Sequence, residues 1–255
     1  MQSRDYPAGR VAAAKGGRSV SVCLPARDEE ETVGEIVARI TELEGVVDEI
    51  VVVDDGSTDA TAERAAAAGA VVVRSAGRGK GDALWRSVLA SKGDVLAFCD
   101  ADLRHFDNRF VLGLVGPLLA DGRLGFVKAS YARPHGGGRV TELLARPLID
   151  LLLPEVARFD QPLAGEFAGR RHVLEALPFV EGYGVDLGLL VDAVRLLGHD
   201  GVAQVDLGER HHRNRPLAEL APQAREVAAV ALDRAGVELA GGPPRQRPPV
   251  SSLGR

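Results

Sequence analysis

Cysteine is nearly absent: the 255 residues hold two, too few for a zinc cluster. Both, Cys23 and Cys99, fall inside runs that read as buried strands, so they are expected as small core residues in a reducing compartment. Positive charge is not in surplus. With 31 basic against 36 acidic residues the net charge is −5, so no global field draws nucleic acid or anionic lipid, and any anion site must be built locally. Long apolar runs are missing too. The longest, such as Val111 to Ala120, fall well short of a bilayer's thickness and end in charge. Residues 1–18 mix charge with glycine and lack the apolar core of a secretory signal. Together these absences point to a soluble, cytoplasmic chain with no nucleic-acid and no membrane partner.

What is present is enough apolar residue, 45%, for one large core. A single α/β domain is expected over 19–236, between a flexible N-terminal tail, 1–18, and a disordered C-terminal tail, 237–255. The latter ends GGPPRQRPPVSSLGR, too rich in Gly and Pro to pack. From Ser19 to Asp102 short β-branched runs alternate with helical stretches, the signature of βαβ units and a Rossmann-like, mostly parallel sheet flanked by helices. Strands are expected at Ser19–Leu24, Glu49–Val53, Ala70–Val73 and Asp94–Cys99. Asp28 is expected to cap a helix through Leu43, and Lys80–Ser91 also reads as helical. Beyond Asp102 come a helix near Asn108–Ala120, a strand near Gly125–Tyr131, a glycine run and a longer helix. That helix carries an apolar stripe of Val140, Leu143, Leu144, Leu148, Leu151 and Leu152, with Pro147 expected to bend it. A further helix spans about Val185–Leu197 and a strand Val202–Leu207.

Parallel sheets bind ligands at the carboxyl ends of their strands, and the chemistry-bearing residues gather there. Asp100-Ala101-Asp102 leaves an apolar strand as two carboxylates one residue apart, a hard-oxygen pair suited to Mg²⁺ or Mn²⁺ bridging to substrate phosphates. A plain strand end with a helix cap is the competing reading. Asp54-Asp55-Gly56-Ser57-Thr58-Asp59 is a second acidic turn, able to meet a base or ribose while also serving as a tight turn and cap. Leu24 to Glu30 offers a third such turn, with the Glu29 carboxylate. Gly77-Arg78-Gly79-Lys80-Gly81 lacks the spacing and the hydroxyl of a P-loop. It can still bring Lys80 to a diphosphate, the alternative being a solvated lysine.

Val20–Pro25, Asp54–Asp59, Gly79-Lys80-Gly81 and Asp100–Asp102, in that order, resemble the nucleotide-diphospho-sugar transferases of the GT-A fold. Gly136–Leu143, Gly182-Tyr183-Gly184-Val185 and His212–Pro216 narrow the resemblance, which covers about Ser19 to Gly236, to the glucosyl-3-phosphoglycerate synthases. The resemblance implies a nucleotide-sugar-binding half at 19–102 and a C-terminal acceptor-binding half at 103–236. It implies a retaining transfer of glucose from a nucleotide-glucose donor, UDP-glucose foremost, to the 2-hydroxyl of 3-phosphoglycerate. It assigns Asp102 and His212 to a divalent metal, Mg²⁺ or Mn²⁺. Pro25, Ala26, Glu29, Asp55, Lys80, Asp100, Ala101 and Tyr183 fall to the donor, and Gly138, Arg139, Val140, Thr141 and Asn214 to the acceptor. Asp102, Lys80 and Asp186 are the residues implied in catalysis, and a homodimer is implied as well. The glycine run and Arg139 agree with an acceptor phosphate, since consecutive N–H groups and a guanidinium fork suit that anion. A flexible hairpin ahead of a helix is the alternative.

Three departures from the family pattern stand in this chain: Asp186 where the family has Glu, and shorter segments before Gly79 and between Pro134 and Gly136. A carboxylate one methylene shorter bears on which sugar is chosen. Three rival readings are a transferase to a polyprenyl phosphate, a non-catalytic nucleotide-sugar sensor, and a nucleotidyltransferase. Gly136–Leu143 speaks against the first and the missing N-terminal glycine signature against the last.

Overall fold

The computed structural model describes residues 1–75, 77–132, 138–210 and 217–254. Its strands are β1 (Val20–Ala26), β2 (Glu49–Asp54), β3 (Val71–Arg74), β4 (Val95–Phe98), β5 (Phe126–Ala132), β6 (Phe167–Arg170), β7 (Phe179–Val180), β8 (Val202–Glu209) and β9 (Gln246–Arg247). Its helices are α1 (Ala8–Lys15), α2 (Val33–Thr41), α3 (Thr61–Ala67), α4 (Lys80–Ala90), α5 (Arg109–Ala120), α6 (Arg146–Leu152), α7 (Arg171–Ala176), α8 (Val185–Leu197) and α9 (Leu217–Arg234).

Seven strands form one sheet in the order β3-β2-β1-β4-β6-β5-β8. The β1–β2, β2–β3 and β1–β4 pairs are parallel, as the βαβ rhythm predicts. Their apolar runs are continuous because helices cover both faces. Strand β6 runs antiparallel to both β4 and β5, and β8 is parallel to β5. One core layer packs α2, α5 and α1 on the sheet, with Ile36, Ile40, Val111 and Leu114 almost wholly buried. The other holds Phe98, Phe126 and Phe167 under α4 and α8. Cys23 and Cys99 are buried and unpaired, as expected.

Four expectations need correction. The N-terminal tail is structured: Pro7 precedes α1, Gly16 at φ +57° caps its end, and the alanine-rich stretch between them suits a helix. Val11 is 1% exposed, and the Met1 carbonyl accepts a hydrogen bond from Asp206 N at 2.9 Å. The C-terminal tail is structured too. Strand β9 pairs antiparallel with β7, Pro248 O accepts a hydrogen bond from Trp85 Nε1 at 2.8 Å, and Arg247 meets the fully buried Asp82 carboxylate. Proline there removes donors that the edge pairing does not use. The apolar stripe is split. A π-turn over Thr141–Ala145 precedes α6, since Pro147 cannot donate back into that turn. The extra residue rotates the face, leaving Leu143 and Leu151 exposed while Ala145 and Ile149 are buried.

Asp28 also departs from its expected cap. It sits at φ +54°, and its carboxylate accepts from the main-chain N of Thr58 at 2.8 Å. It ties the turn after β1 to the turn after β2, and α2 begins only at Val33.

Arg247→Ala removes one of the two cations on the buried Asp82, the other being Arg86 at 2.7 Å. Leaving a buried carboxylate less satisfied costs about 1–3 kcal/mol, which a lower urea midpoint at unchanged slope will show.

Candidate functional site

The turns after β1, β2 and β4 open on one sheet edge, and the start of α4 and the turn before α8 close over it. Between them lies a cleft of about 460 Å³ lined by Pro25, Ala26, Arg27, Asp28, Glu29, Asp55, Gly79, Lys80, Ala83, Asp100, Ala101, Asp102 and Tyr183. All eight residues expected to meet a donor, and Asp102 with them, therefore share one wall.

The cleft is shaped by backbone geometry. Asp55, 4% exposed, accepts a hydrogen bond from Gly79 N at 2.9 Å through one carboxylate oxygen and from the Ser75 hydroxyl through the other. That clamp holds Ser75 and Gly79 at the sheet edge. Gly79 adopts φ +99° beside Gly182, a conformation and an approach that a side chain would resist. A Cβ on Gly81 would collide with the Val180 carbonyl, so α4 starts as close to β7 as a backbone can. Lys80 is delivered into the cleft as a result.

Lys80 Nζ lies 2.9 Å from Asp100 Oδ1 and 3.0 Å from Asp186 Oδ2. Burial pushes its pKa down, but the Asp100 and Asp186 carboxylates outweigh burial and hold the ammonium protonated well above the usual lysine range. It is not the solvated lysine of the alternative reading. Asp186, 5% exposed, lies in the first turn of α8. Its Oδ1 is buried and accepts no hydrogen bond among the described residues.

Arg210, at the end of the strand edge after β8, completes an ion web. Its Nη2 reaches Asp100 Oδ2 at 2.7 Å and Asp102 Oδ1 at 3.4 Å, while Nε faces Glu166 Oε1 at 2.9 Å. Its guanidinium carbon lies 5.3 Å from the Tyr131 ring centre. Glu166 has no exposed surface, and burial raises its pKa against the pull of Arg210. A side chain on Gly165 would strike the Asp100 carboxylate. Sequence reasoning gave neither Arg210 nor Glu166 a place in the site. The sequence signal was a carboxylate in the apolar run Leu163-Ala164-Gly165-Glu166-Phe167.

The chemistry of these donors fits a divalent cation. Asp102 is the more open carboxylate of the pair, at 39% against 20% for Asp100, and its contact with Arg210 is the longer one. A protein that offers few hard oxygens suits Mg²⁺ or Mn²⁺, which keep water or substrate phosphate in their remaining positions. His212 lies outside the described residues, and no cluster of three metal-binding side chains occurs among the described ones.

The residues expected at an acceptor sit on another segment. Gly138, at φ +82°, Arg139, Val140 and Thr141 open the helical stretch after β5. Gly138 O accepts from Glu142 N at 2.9 Å, and Thr141 is 1% exposed. None of them lines the cleft, and Asn214 lies outside the described residues.

Residues 21–174 match the model of glycosyl transferase family 2. Over 247 residues the chain is 53% identical to glucosyl-3-phosphoglycerate synthase of Mycolicibacterium smegmatis, covering 90% of this chain and 82% of that protein. Solved structures of glucosyl-3-phosphoglycerate synthase from Mycobacterium tuberculosis share the fold. The complex with phosphoglyceric acid matches at a TM-score of 0.92 and 45% identity, over 98% of this chain and 96% of that one. The complex with Mn²⁺, uridine-diphosphate-glucose and phosphoglyceric acid matches at 0.91 and 44% over the same shares. The mostly parallel α/β sheet described above is thus the GT-A fold.

Lys80→Met removes the cation between Asp100 and Asp186. Breaking a buried pair from one side costs about 3–5 kcal/mol, so urea unfolding of this variant will show a loss in that range, and Asp186→Asn on top will recover part of it.

Proposed function

This chain belongs to glycosyl transferase family 2 and, within it, to the glucosyl-3-phosphoglycerate synthases, and from that premise we propose how its own residues work. The protein transfers glucose from UDP-glucose to the 2-hydroxyl of 3-phosphoglycerate, with Mg²⁺ or Mn²⁺ as cofactor. The observation that carries this reading is the convergence of Lys80, Asp100 and Asp102 with the nucleoside-facing turns on one cleft.

Pro25, Ala26, Glu29 and Asp55 form the nucleoside end, with the Asp55 clamp holding Ser75 and Gly79 beside it. Asp100 and Ala101 line the diphosphate position, and Tyr183 flanks the sugar. Lys80, held cationic by its two carboxylates, stabilises the departing diphosphate as charge grows on it. Asp102 and His212 hold the cation, which when bound supplies Lewis-acid stabilisation of the leaving group. The buried Oδ1 of Asp186 is an acceptor for a sugar hydroxyl. Gly138, Arg139, Val140, Thr141 and Asn214 grip the phosphoglycerate, Arg139 through its guanidinium fork.

The bond from the anomeric carbon to the diphosphate oxygen breaks, and that carbon bonds to the acceptor oxygen on the same face. The hydroxyl proton passes to the leaving phosphate. Configuration is retained, with no covalent intermediate on the protein. A polyprenyl phosphate acceptor and a sensor without catalysis are not favoured, given relatives matched along nine-tenths of the chain.

Two coarser features complete the reading. The exposed Leu143, Leu151 and Leu152 give an apolar face that a second copy would cover, which supports a homodimer. The unpaired, buried thiols of Cys23 and Cys99 agree with a cytoplasmic location.

Purified protein given UDP-glucose, Mg²⁺ and D-3-phosphoglycerate will release UDP and form glucosyl-3-phosphoglycerate by mass spectrometry, with the α-anomer of the donor retained by proton NMR. Asp102→Asn will lower kcat by at least about a hundredfold. An inverted product would sink the same-face mechanism, and UDP release without the product would sink the acceptor.

His212→Ala will weaken Mn²⁺ binding in the presence of UDP by about ten- to a hundredfold, measured by calorimetry. Unchanged affinity would remove His212 from the metal site.

A further inference from the structure

A lysine lies at the centre of the apolar layer beneath the cleft. Lys128, in the middle of β5 and in register with Phe167 of β6 and Gln204 of β8, has no exposed surface. Its Nζ donates to the main-chain carbonyl of Asp186 at 3.1 Å and stands 5.6 Å from the Phe167 ring centre. Among the described residues it forms no ion pair. Every other buried cation of the site has a carboxylate at contact distance: Lys80 has Asp100 and Asp186, and Arg210 has Asp100, Asp102 and Glu166.

A cation placed this way is unfavourable for folding, since burial strips its hydration and a carbonyl returns only part of it. A methionine or leucine would fill the same volume without that penalty. A buried group set against the packing in this manner marks a functional requirement. The charges facing it define that requirement: Asp186 on α8, Lys80 on α4, Glu166 ahead of β6 and Asp100 after β4.

We propose that Lys128 is a positioning residue for glucosyl transfer: its ammonium pins the first turn of α8 from beneath, sets Asp186 against Lys80, and adds a fixed positive charge under the diphosphate. The inference rests on the glucosyltransferase reading above. It goes beyond that reading in placing a required charge on a strand that touches neither substrate.

Burial pushes the Lys128 ammonium down to about 8, with Lys80 acting in the same direction and the three carboxylates opposing. The folded value lies below that of an unfolded lysine, so the charge is present below about pH 8 and absent above it. The unfolded chain then binds the extra proton between pH 8 and the ordinary lysine range, and stability rises with pH across that window. Catalysis goes the other way. As Lys128 loses its charge kcat falls, while the KM for UDP-glucose, set by the whole cleft, moves less.

The test uses Lys128→Met and Lys128→Arg with the wild type. The expected result is that Lys128→Met unfolds at a higher temperature than the wild type near pH 7, has kcat lowered about tenfold or more, and lacks the alkaline fall near pH 8 that the wild type shows. Lys128→Arg, charged throughout, recovers part of kcat without the alkaline fall. A Lys128→Met enzyme with wild-type kcat and the alkaline limb intact would overturn the proposal.

A second measurement needs neither turnover nor a folded variant. In wild-type protein labelled with ¹³Cε-lysine, the buried lysine resonance titrates near pH 8 and moves to higher pH when UDP and Mg²⁺ bind. A titration that UDP and Mg²⁺ leave in place would equally overturn it. Binding of UDP without any transfer would instead count against the glucosyltransferase reading alone.

Discussion

The ion pairs of Lys80 tie the end of β4 to the start of α8 across the cleft. The ammonium sits at the start of α4, yet its partners come from the end of β4 and from the first turn of α8, 2.9 Å and 3.0 Å away. One cation therefore joins the parallel part of the sheet to the segment after β7. Everything near it is arranged to keep that distance short. Gly81 lets α4 approach the Val180 carbonyl, Gly165 leaves space for Asp100, and the Asp55 clamp closes the turn that delivers Lys80. Such a pair adds little net stability, because desolvation offsets most of the Coulomb gain. Its value is geometric and electrostatic: in the proposed mechanism it is a positive charge held ready where a leaving diphosphate would develop negative charge.

The same reasoning explains why the acidic residues do not repel one another apart. Asp100, Asp102, Asp186 and Glu166 are paired with Lys80 and Arg210, which arrive from different elements, while Lys128 stands nearby on the Asp186 main-chain carbonyl. In a low-dielectric layer such charges interact strongly, so the removal of any one is felt by the others. Single substitutions in this web are therefore expected to be non-additive, and pairs that keep the charge balance to be milder than their parts.

Much of the cleft was legible in the sequence because its logic is local. An apolar run followed at once by carboxylates places those carboxylates at the carboxyl end of a parallel strand, and three such turns must share an edge once the strands pair. That is why Pro25, Glu29, Asp55, Asp100 and Asp102 could be gathered before any coordinate was known. Helix α8 and the start of α4 were legible for the same reason, their periodicity being regular. The remainder depends on contacts far apart in sequence. Glu166 and Lys128 are single charges inside apolar strands, and periodicity reads such strands as core without saying what the charge faces. Arg210 lies 110 residues from Asp100, and no spacing rule links them.

The two termini failed for a different physical reason. Composition weighs Gly, Pro and charge against order, but it is blind to a surface waiting elsewhere on the fold. Met1 and Gln2 lie along β8 because that strand is the sheet's outer edge and its backbone groups need partners. Arg247 is drawn to Asp82 because a carboxylate with no exposed surface cannot be left to Arg86 alone. In both places the demand comes from the folded domain, and the segment supplies only a backbone or one side chain. Disorder inferred from composition is thus a statement about a segment in isolation. It gives way wherever an open edge or a buried charge lies within reach of the chain end.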